Sequence, residues 1–192
     1  MKLLDLSDKL EGWIIYTVFS VIAYMYFRYL NITYDINGHW QIYFDDFRYS
    51  SQTFYSTIET AVKGKEMPGV KMERVGYHDS TVLSVEREYL HIKRENDVYI
   101  ICAAPFGNGF FISSRKGSDP GHVKKMVISI PFIGGVIARL FFKKSFYQND
   151  SQNMFVSAVH DTVLDIIHDI TKEKGVRDMT ERERQFQRVG KQ

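Results

Sequence analysis

Two histidine–aspartate pairs, His160-Asp161 and His168-Asp169, recur within the stretch MFVSAVHDTVLDIIHDITKEK. On a helix, Asp161, Asp165 and His168 stand at i, i+4 and i+7 and share a face. Imidazole and carboxylate together can ligate a divalent metal or move protons. A metal-assisted hydrolase using His160, Asp161, Asp165 and His168 is therefore one reading. Such a site also needs ligands from other helices, and the sequence identifies none. The expectation for this face is a solvated polar surface opposite an apolar stripe, with His160 at the boundary. No catalytic residue, cofactor or metal site is assigned.

Other stretches with chemical potential have plainer expectations. Ala103-Ala104-Pro105-Phe106-Gly107-Asn108-Gly109 has the glycines of a phosphate loop. It lacks the lysine, and no helix follows to hold an anion, so a hairpin turn is expected. Cys102 is the single cysteine, which excludes an internal disulfide. It lies in the apolar run VYIICAA and reads as a small buried hydrophobe. The net charge of +2 is too small to indicate a nucleic-acid partner. Charge is uneven, however. Arg115, Lys116, Lys124, Lys125, Arg139, Lys143 and Lys144 face Asp119 alone in residues 115–144. The aromatics among them, Phe132, Phe141 and Phe142, sit in an apolar run. That combination suits an anionic lipid surface better than stacked bases.

The elements that must hold these residues follow from hydrophobic patterning. Trp13 to Leu30, WIIYTVFSVIAYMYFRYL, carries no charge as far as Phe27. A spanning helix needs ~20 mostly apolar residues. Arg28 extends the run by laying its stem along lipid with its head in the interface. Trp13 and Tyr16 at one end, and Tyr24, Tyr26 and Tyr29 at the other, suit the two boundaries of a bilayer. A core helix and a signal sequence are the alternatives. The acids Asp5, Asp8 and Glu11 precede the run, and no small-residue cleavage site follows it, so a signal peptide fits less well.

Residues 31–49 read as one or two short strands or an irregular connection, with Asn37-Gly38 as a hairpin signal. Ser50 or Ser51 caps a helix whose stripe is Phe54, Ile58, Ala61 and Val62, ending at Gly64 and Pro68-Gly69. Four strand-like runs follow, Val70–Tyr77, Thr81–Arg94, Val98–Ala104 and Gly109–Arg115. Turns at His78-Asp79-Ser80, Asn96-Asp97 and Gly107-Asn108-Gly109 separate them. Short connections join antiparallel neighbours, so a four-stranded meander is expected, with a bulge near Glu86–Glu88. After a polar loop, Met126–Phe142 is apolar but broken by Pro131 and Gly134-Gly135. It suits an interfacial or re-entrant segment, with a core helix and a second span as alternatives. A long helix capped by Asp150 or Ser151 and ended by Gly175 presents Phe155, Val159, Val163, Ile166, Ile167 and Ile170. Thr180-Glu181-Arg182-Glu183 matches a capping box opening a short helix.

The residues REYLHIKREN and YIICAAPFGNGFFISSR, with MFVSAVHDTVLDIIHDITKEKGVRDMTERER, resemble a family of small uncharacterised bacterial proteins over residues 50–184. The resemblance implies a bacterial source and transfers no activity and no site residue.

The resulting expectation is an α+β protein. A short tail (1–12) leads to a membrane helix (13–30) and a connection (31–49). An α+β domain (50–176) follows, including the apolar segment 126–142, and then a charged tail (177–192). The expected function is a membrane-anchored, non-enzymatic interaction or ligand-sensing module. Its partners are the bilayer, an anionic lipid surface near 115–144 and a possible protein partner, without nucleic acid. A subunit of a larger envelope complex is a further alternative. A disulfide-free chain with this basic region suits a domain on the cytoplasmic face of the inner membrane.

Overall fold

The computed structural model describes residues 2–77 and 87–188, with side chains described for residues 13–77 and 87–187. In chain order, the first elements are α1 (Lys2–Asn31), β1 (Asp35–Phe44), α2 (Ser51–Gly64), β2 (Val70–Tyr77) and β3 (Arg87–Arg94). Next come β4 (Asp97–Phe106), β5 (Gly109–Ser118), α3 (Gly121–Ser129), α4 (Gly134–Phe141), α5 (Phe146–Glu173) and the two-residue β6 (Gln187–Arg188). Among the described residues the chain is therefore α+β. It divides into two compact units. One joins Met1–Thr33 to Pro120–Lys144, and the other joins Tyr34–Asp119 to Ser145–Gln192. The apolar segment 126–142 groups with α1, rather than with the 50–176 domain in which its sequence position puts it.

The larger unit is built on one antiparallel sheet in the order β2-β3-β4-β5-β1-β6. β2 to β5 form the expected meander. β4 and β5 turn at Gly107-Asn108, where Gly107 adopts φ 61°. The expectation of four strands falls short, because β1 pairs along β5 from Asp35↔Ser118 to Phe44↔Phe110. Asn37-Gly38 makes no hairpin. The register shifts between Ile36 and Gly38, so the pair marks a bulge within one strand. The turn at His78-Asp79-Ser80, the first part of the second strand-like run and Glu86 of the expected bulge lie outside the described residues. From Arg87 onward the pairing with β2 is regular.

Helices α2 and α5 bury their apolar stripes against a common core with the sheet. Trp40, Ile42 and Phe44 of β1 meet Leu90, Ile92, Tyr99, Ile101, Phe110 and Ile112 of the other strands there. From the helices come Phe54, Ile58 and Val62, then Phe155, Val159, Val163 and Ile167, as the helical periodicity predicts. Each such side chain contributes ~1.5–3 kcal/mol on burial. Ser50 caps α2, its hydroxyl accepting from the Thr53 N–H. α5 starts earlier than expected. Ser145 and Gln148 form a capping box there, and Asp150 and Ser151 lie inside the helix. Gly175 ends it at φ 68°, with Val176 N–H donating to the Thr171 carbonyl and Gly175 N–H to that of Lys172. Thr180–Glu183 makes half of the expected box, the Glu183 carboxylate accepting from the Thr180 N–H at 2.8 Å, but closes one turn and opens no helix.

In the smaller unit, α1 is a single 30-residue helix, of which Trp13–Asn31 is long and apolar enough to cross a membrane. Met126–Phe142 is two short helices, not one. α3 ends at Ser129, Pro131 and Phe132 reverse the chain, and α4 begins at Gly134. Phe132 stands at φ 64°, a left-handed conformation uncommon for an aromatic residue.

Candidate functional site

The four residues of the histidine–aspartate pattern do not converge. His160 is buried, facing the core side of α5. Asp161 and Asp165 are exposed, as their helical phase requires. His168 is half-buried and turns to a different partner, its Nδ1 lying 3.0 Å from the Asp178 carboxylate. That carboxylate also receives Arg184 at 3.3 Å. Among the described residues no group of three or more histidine, cysteine, aspartate or glutamate side chains is arranged to hold a metal ion.

His160 instead anchors the segment that follows α5. Its Nε2 lies 2.9 Å from the Arg184 carbonyl, which can only accept. The neutral ring therefore carries its proton on Nε2, and Nδ1 accepts from the Tyr99 hydroxyl at 2.8 Å. Tyr99 Oη is also 3.0 Å from Ser114 Oγ on the neighbouring strand. The Trp40 indole N–H donates to the Glu183 carbonyl, and the Phe186 ring lies 4.3 Å from that of His160. Burial holds the imidazole below the ordinary histidine value, against an opposing pull from the Arg184 carbonyl. Burial also pushes the Tyr99 phenol up. The arrangement clamps chain, helix and sheet together.

A second polar centre lies on the same face of the sheet at Tyr55, one residue beyond Phe54 of the α2 stripe. The ladder between β3 and β4 runs from Arg94↔Asp97 to Tyr89↔Cys102 and stops. At the next step the Tyr55 hydroxyl stands between the strands. It accepts from the Ala103 N–H at 2.8 Å and donates to the Glu88 carbonyl at 2.7 Å. Burial pushes its pKa well above the ordinary phenol value. Beside it, Arg74 makes a two-pronged contact with Glu59, at 2.8 and 3.1 Å, and reaches Gln52 at 2.6 Å. The guanidinium holds the Glu59 carboxyl below the usual range. The splayed strand ends and the first turn of α2 border an open cleft of ≈ 650 Å³. Gln52, Arg87 and Glu88 give it a polar rim, and Pro105, Phe106 and Phe111 an apolar wall.

Ala103–Gly109 is strand and hairpin, with Phe106 paired to Gly109. Cys102 is buried, and burial raises its thiol pKa, which disfavours the nucleophilic thiolate.

The smaller unit carries the largest apolar exposure. Trp13, Phe19, Ile22 and Phe27 of α1 are all more than half exposed, as are Met126, Phe132, Val136, Leu140 and Phe141 of the α3–α4 segment. Tyr29 and His122 bond at 2.7 Å, tying the end of α1 to the start of α3. Sequence reasoning found the apolar runs. It missed Tyr55, Tyr99 and Trp40, whose hydroxyls and indole act on partners distant in sequence that no local pattern encodes.

No family model, curated protein or solved structure matches the chain.

Proposed function

We propose that this chain is a membrane-anchored, non-enzymatic interaction or ligand-sensing module. The observation that carries it is the exposure of α1. A helix with no charge from Trp13 to Phe27 presents Trp13, Phe19, Ile22 and Phe27 to its surroundings. Large contiguous apolar surface in water is strongly unfavourable, and lipid is the solvent that relieves it. Two polar side chains of this helix fit the same solvent. Thr17 donates to the Trp13 carbonyl and Asn31 to that of Phe27, so each uses its own helix as partner. The binding surface is the cleft beside Tyr55, where Arg87, Glu88 and Gln52 can fix the polar end of a ligand against Phe106 and Phe111.

The non-enzymatic reading is supported by the separate engagements of His160 and His168, with Tyr99 and Arg184 on one hand and Asp178 on the other. The protein is proposed to sit in the cytoplasmic membrane of a bacterium with its sheet domain inside. Fractionation without detergent tests the anchor: the chain should sediment with membranes and resist high-salt washing. Val18→Asp with Ile22→Lys should release it, since each charge at a helix centre costs ~2.5–3.5 kcal/mol on insertion scales. Wild-type protein that stays in the supernatant would sink the proposal.

A further inference from the structure

We infer that α3 and α4 form a re-entrant hairpin that enters the bilayer alongside α1 and turns near its midplane at Pro131-Phe132. The inference rests on the membrane reading of α1 and adds an insertion that α1 alone does not require.

The register between the helices sets the depth. Tyr29 bonds to His122, which brings the first turn of α3 level with the last turns of α1. Ile22, Met25 and Tyr26 then share an apolar groove with Met126, Val127 and Ile130. The positions step backward along α1 as they step forward along α3, so the two helices run antiparallel. From Tyr29 to Ile22 is a rise of ~10 Å at ~1.5 Å per residue. The 19-residue stretch Trp13–Asn31 has Ile22 at its centre. Ile130 is therefore carried to about half the depth of the span.

The lengths exclude a crossing. α3 has 9 residues and α4 has 8. At ~1.5 Å per residue each covers less than half of the ~30 Å hydrocarbon thickness, so either reaches from the headgroups nearly to the midplane and neither crosses. The charges sit where a hairpin entering from one side needs them. Lys124-Lys125 stand near its entry and Lys143-Lys144 just past its exit, while the stretch from Met126 to Ala138 carries none. Arg139 lies about two turns above the reversal, within snorkelling reach of the headgroups. Phe132 at the tip is fully exposed, with Ile133 beside it.

The backbone and the helix–helix seam also suit lipid. Irregular backbone at membrane depth must satisfy its own polar groups. Pro131 has no N–H. Ile130 donates to Val127, Ile133 to Pro131 and Gly134 to Ile130. Ser129 donates to the Lys125 carbonyl. The hairpin's buried positions are small: Ser129, Gly134 and Ala138. A Cβ added at Gly134 would meet the Val127 carbonyl oxygen at 2.2 Å, so the backbones approach as closely as they do in packed membrane helices.

Single-cysteine labelling of the full chain tests this. Cys102→Ala removes the native thiol. Lys124→Cys, Phe132→Cys, Lys143→Cys and, as the domain marker, Glu66→Cys are each added to it. Right-side-out and inside-out membrane vesicles are treated with a membrane-impermeant maleimide. Residues 124, 143 and 66 should label from the same side, and 132 from neither side until detergent is added. Labelling of 124 and 143 from opposite sides would make the segment a span and overturn the hairpin. Labelling of 132 from water as readily as 124 would put the tip outside the bilayer and overturn the insertion. Protection of 132 that survives detergent would overturn it too, since protein rather than lipid would then cover the tip. A chain absent from the vesicles altogether is a different result, because that failure belongs to α1.

Discussion

At Tyr55 a single hydroxyl replaces a rung of the sheet. It satisfies the Ala103 N–H and the Glu88 carbonyl where β3 and β4 part. Tyr55→Phe keeps the ring's packing and orphans both backbone groups. The expected loss is ~1–3 kcal/mol, the cost of leaving a buried polar group unsatisfied. Denaturant unfolding of the detergent-solubilised chain measures it, and an unchanged midpoint would refute the role. Histidine titration gives a second expectation. Burial lowers the pKa of both His160 and His91, with Lys93 adding to the effect at His91. Between the lowered native value and the ordinary value near 6.5, the unfolded chain binds protons that the folded chain does not. Stability should therefore be full above the ordinary value and decline as pH falls through it toward the lowered one. His160→Gln should flatten that decline, leaving the share due to His91. An unaltered pH slope in the variant would show that His160 does not titrate in this window. At His168 the partner is Asp178 on an exposed surface, so His168→Gln should leave the fold intact and release no metal. Stoichiometric metal that disappears with the substitution would instead restore the hydrolase. The sequence placed Asp161 and Asp165 on the exposed face and His160 beside the apolar stripe, because helical phase is local information. It could not reveal what His160 and His168 bind, because Tyr99, Arg184 and Asp178 come from other parts of the chain.

The elements differ in how openly the sequence declares them. β2 and α2 have the bounds expected from Val70–Tyr77 and from the Ser50 cap through Gly64, where turn chemistry and periodicity agree. Disagreement arises where a local signal has two uses. Asn37-Gly38 permits positive φ and a tight reversal, but the same freedom accommodates a bulge, and the long-range pairing of β1 with β5 selects the bulge. The start of α5 was hidden for another reason. Phe146, Tyr147 and Met154 are apolar and exposed, so the first turns lack the inward stripe that marks a helix. The true cap can be tested against the expected one. Ser145→Ala removes the hydroxyl that accepts from the Gln148 N–H and should cost ~1 kcal/mol. Asp150→Ala, inside the helix, removes no cap and should cost less. A larger loss at Asp150 than at Ser145 would return the helix start to the sequence-based position. The other end has a comparable check. Gly175 stands at φ 68° with open space around its Cα, so only backbone strain opposes a side chain there. Gly175→Ala should cost ~1–2 kcal/mol by forcing an L-residue into the left-handed region.

For the whole molecule, the proposed membrane anchor raises the matter of which side of the bilayer would hold the sheet. The chain passes between its two units after Thr33, after Asp119 and after Lys144. If α1 spans and the α3–α4 hairpin returns to the face it entered, all three passages lie on one side, and the sheet unit is never split by the bilayer. A full crossing by Met126–Phe142 would instead put β1–β5 and α5 on opposite faces. That is incompatible with a core in which Val159, Val163 and Ile167 of α5 pack with Ile101 and Phe110 of the sheet. The common core therefore fixes a single side more firmly than any loop charge does. Which side follows from electrostatics. Lys2 and Lys9 ahead of the uncharged run Trp13–Phe27 nearly balance Arg28 and Arg48 behind it, so the flanks of that run decide little. The basic residues of 115–144 contribute more, since each one near an anionic cytoplasmic leaflet gains ~1 kcal/mol. The N-terminus is accordingly expected outside and the sheet unit inside. A reporter fused after Gln192 and a second inserted after Glu66, in the turn that follows α2, should both report the cytoplasm. External signals from both would invert the orientation while leaving the fold intact. Opposite signals from the two would contradict the shared core itself, the outcome that the packing of α5 on the sheet most directly forbids.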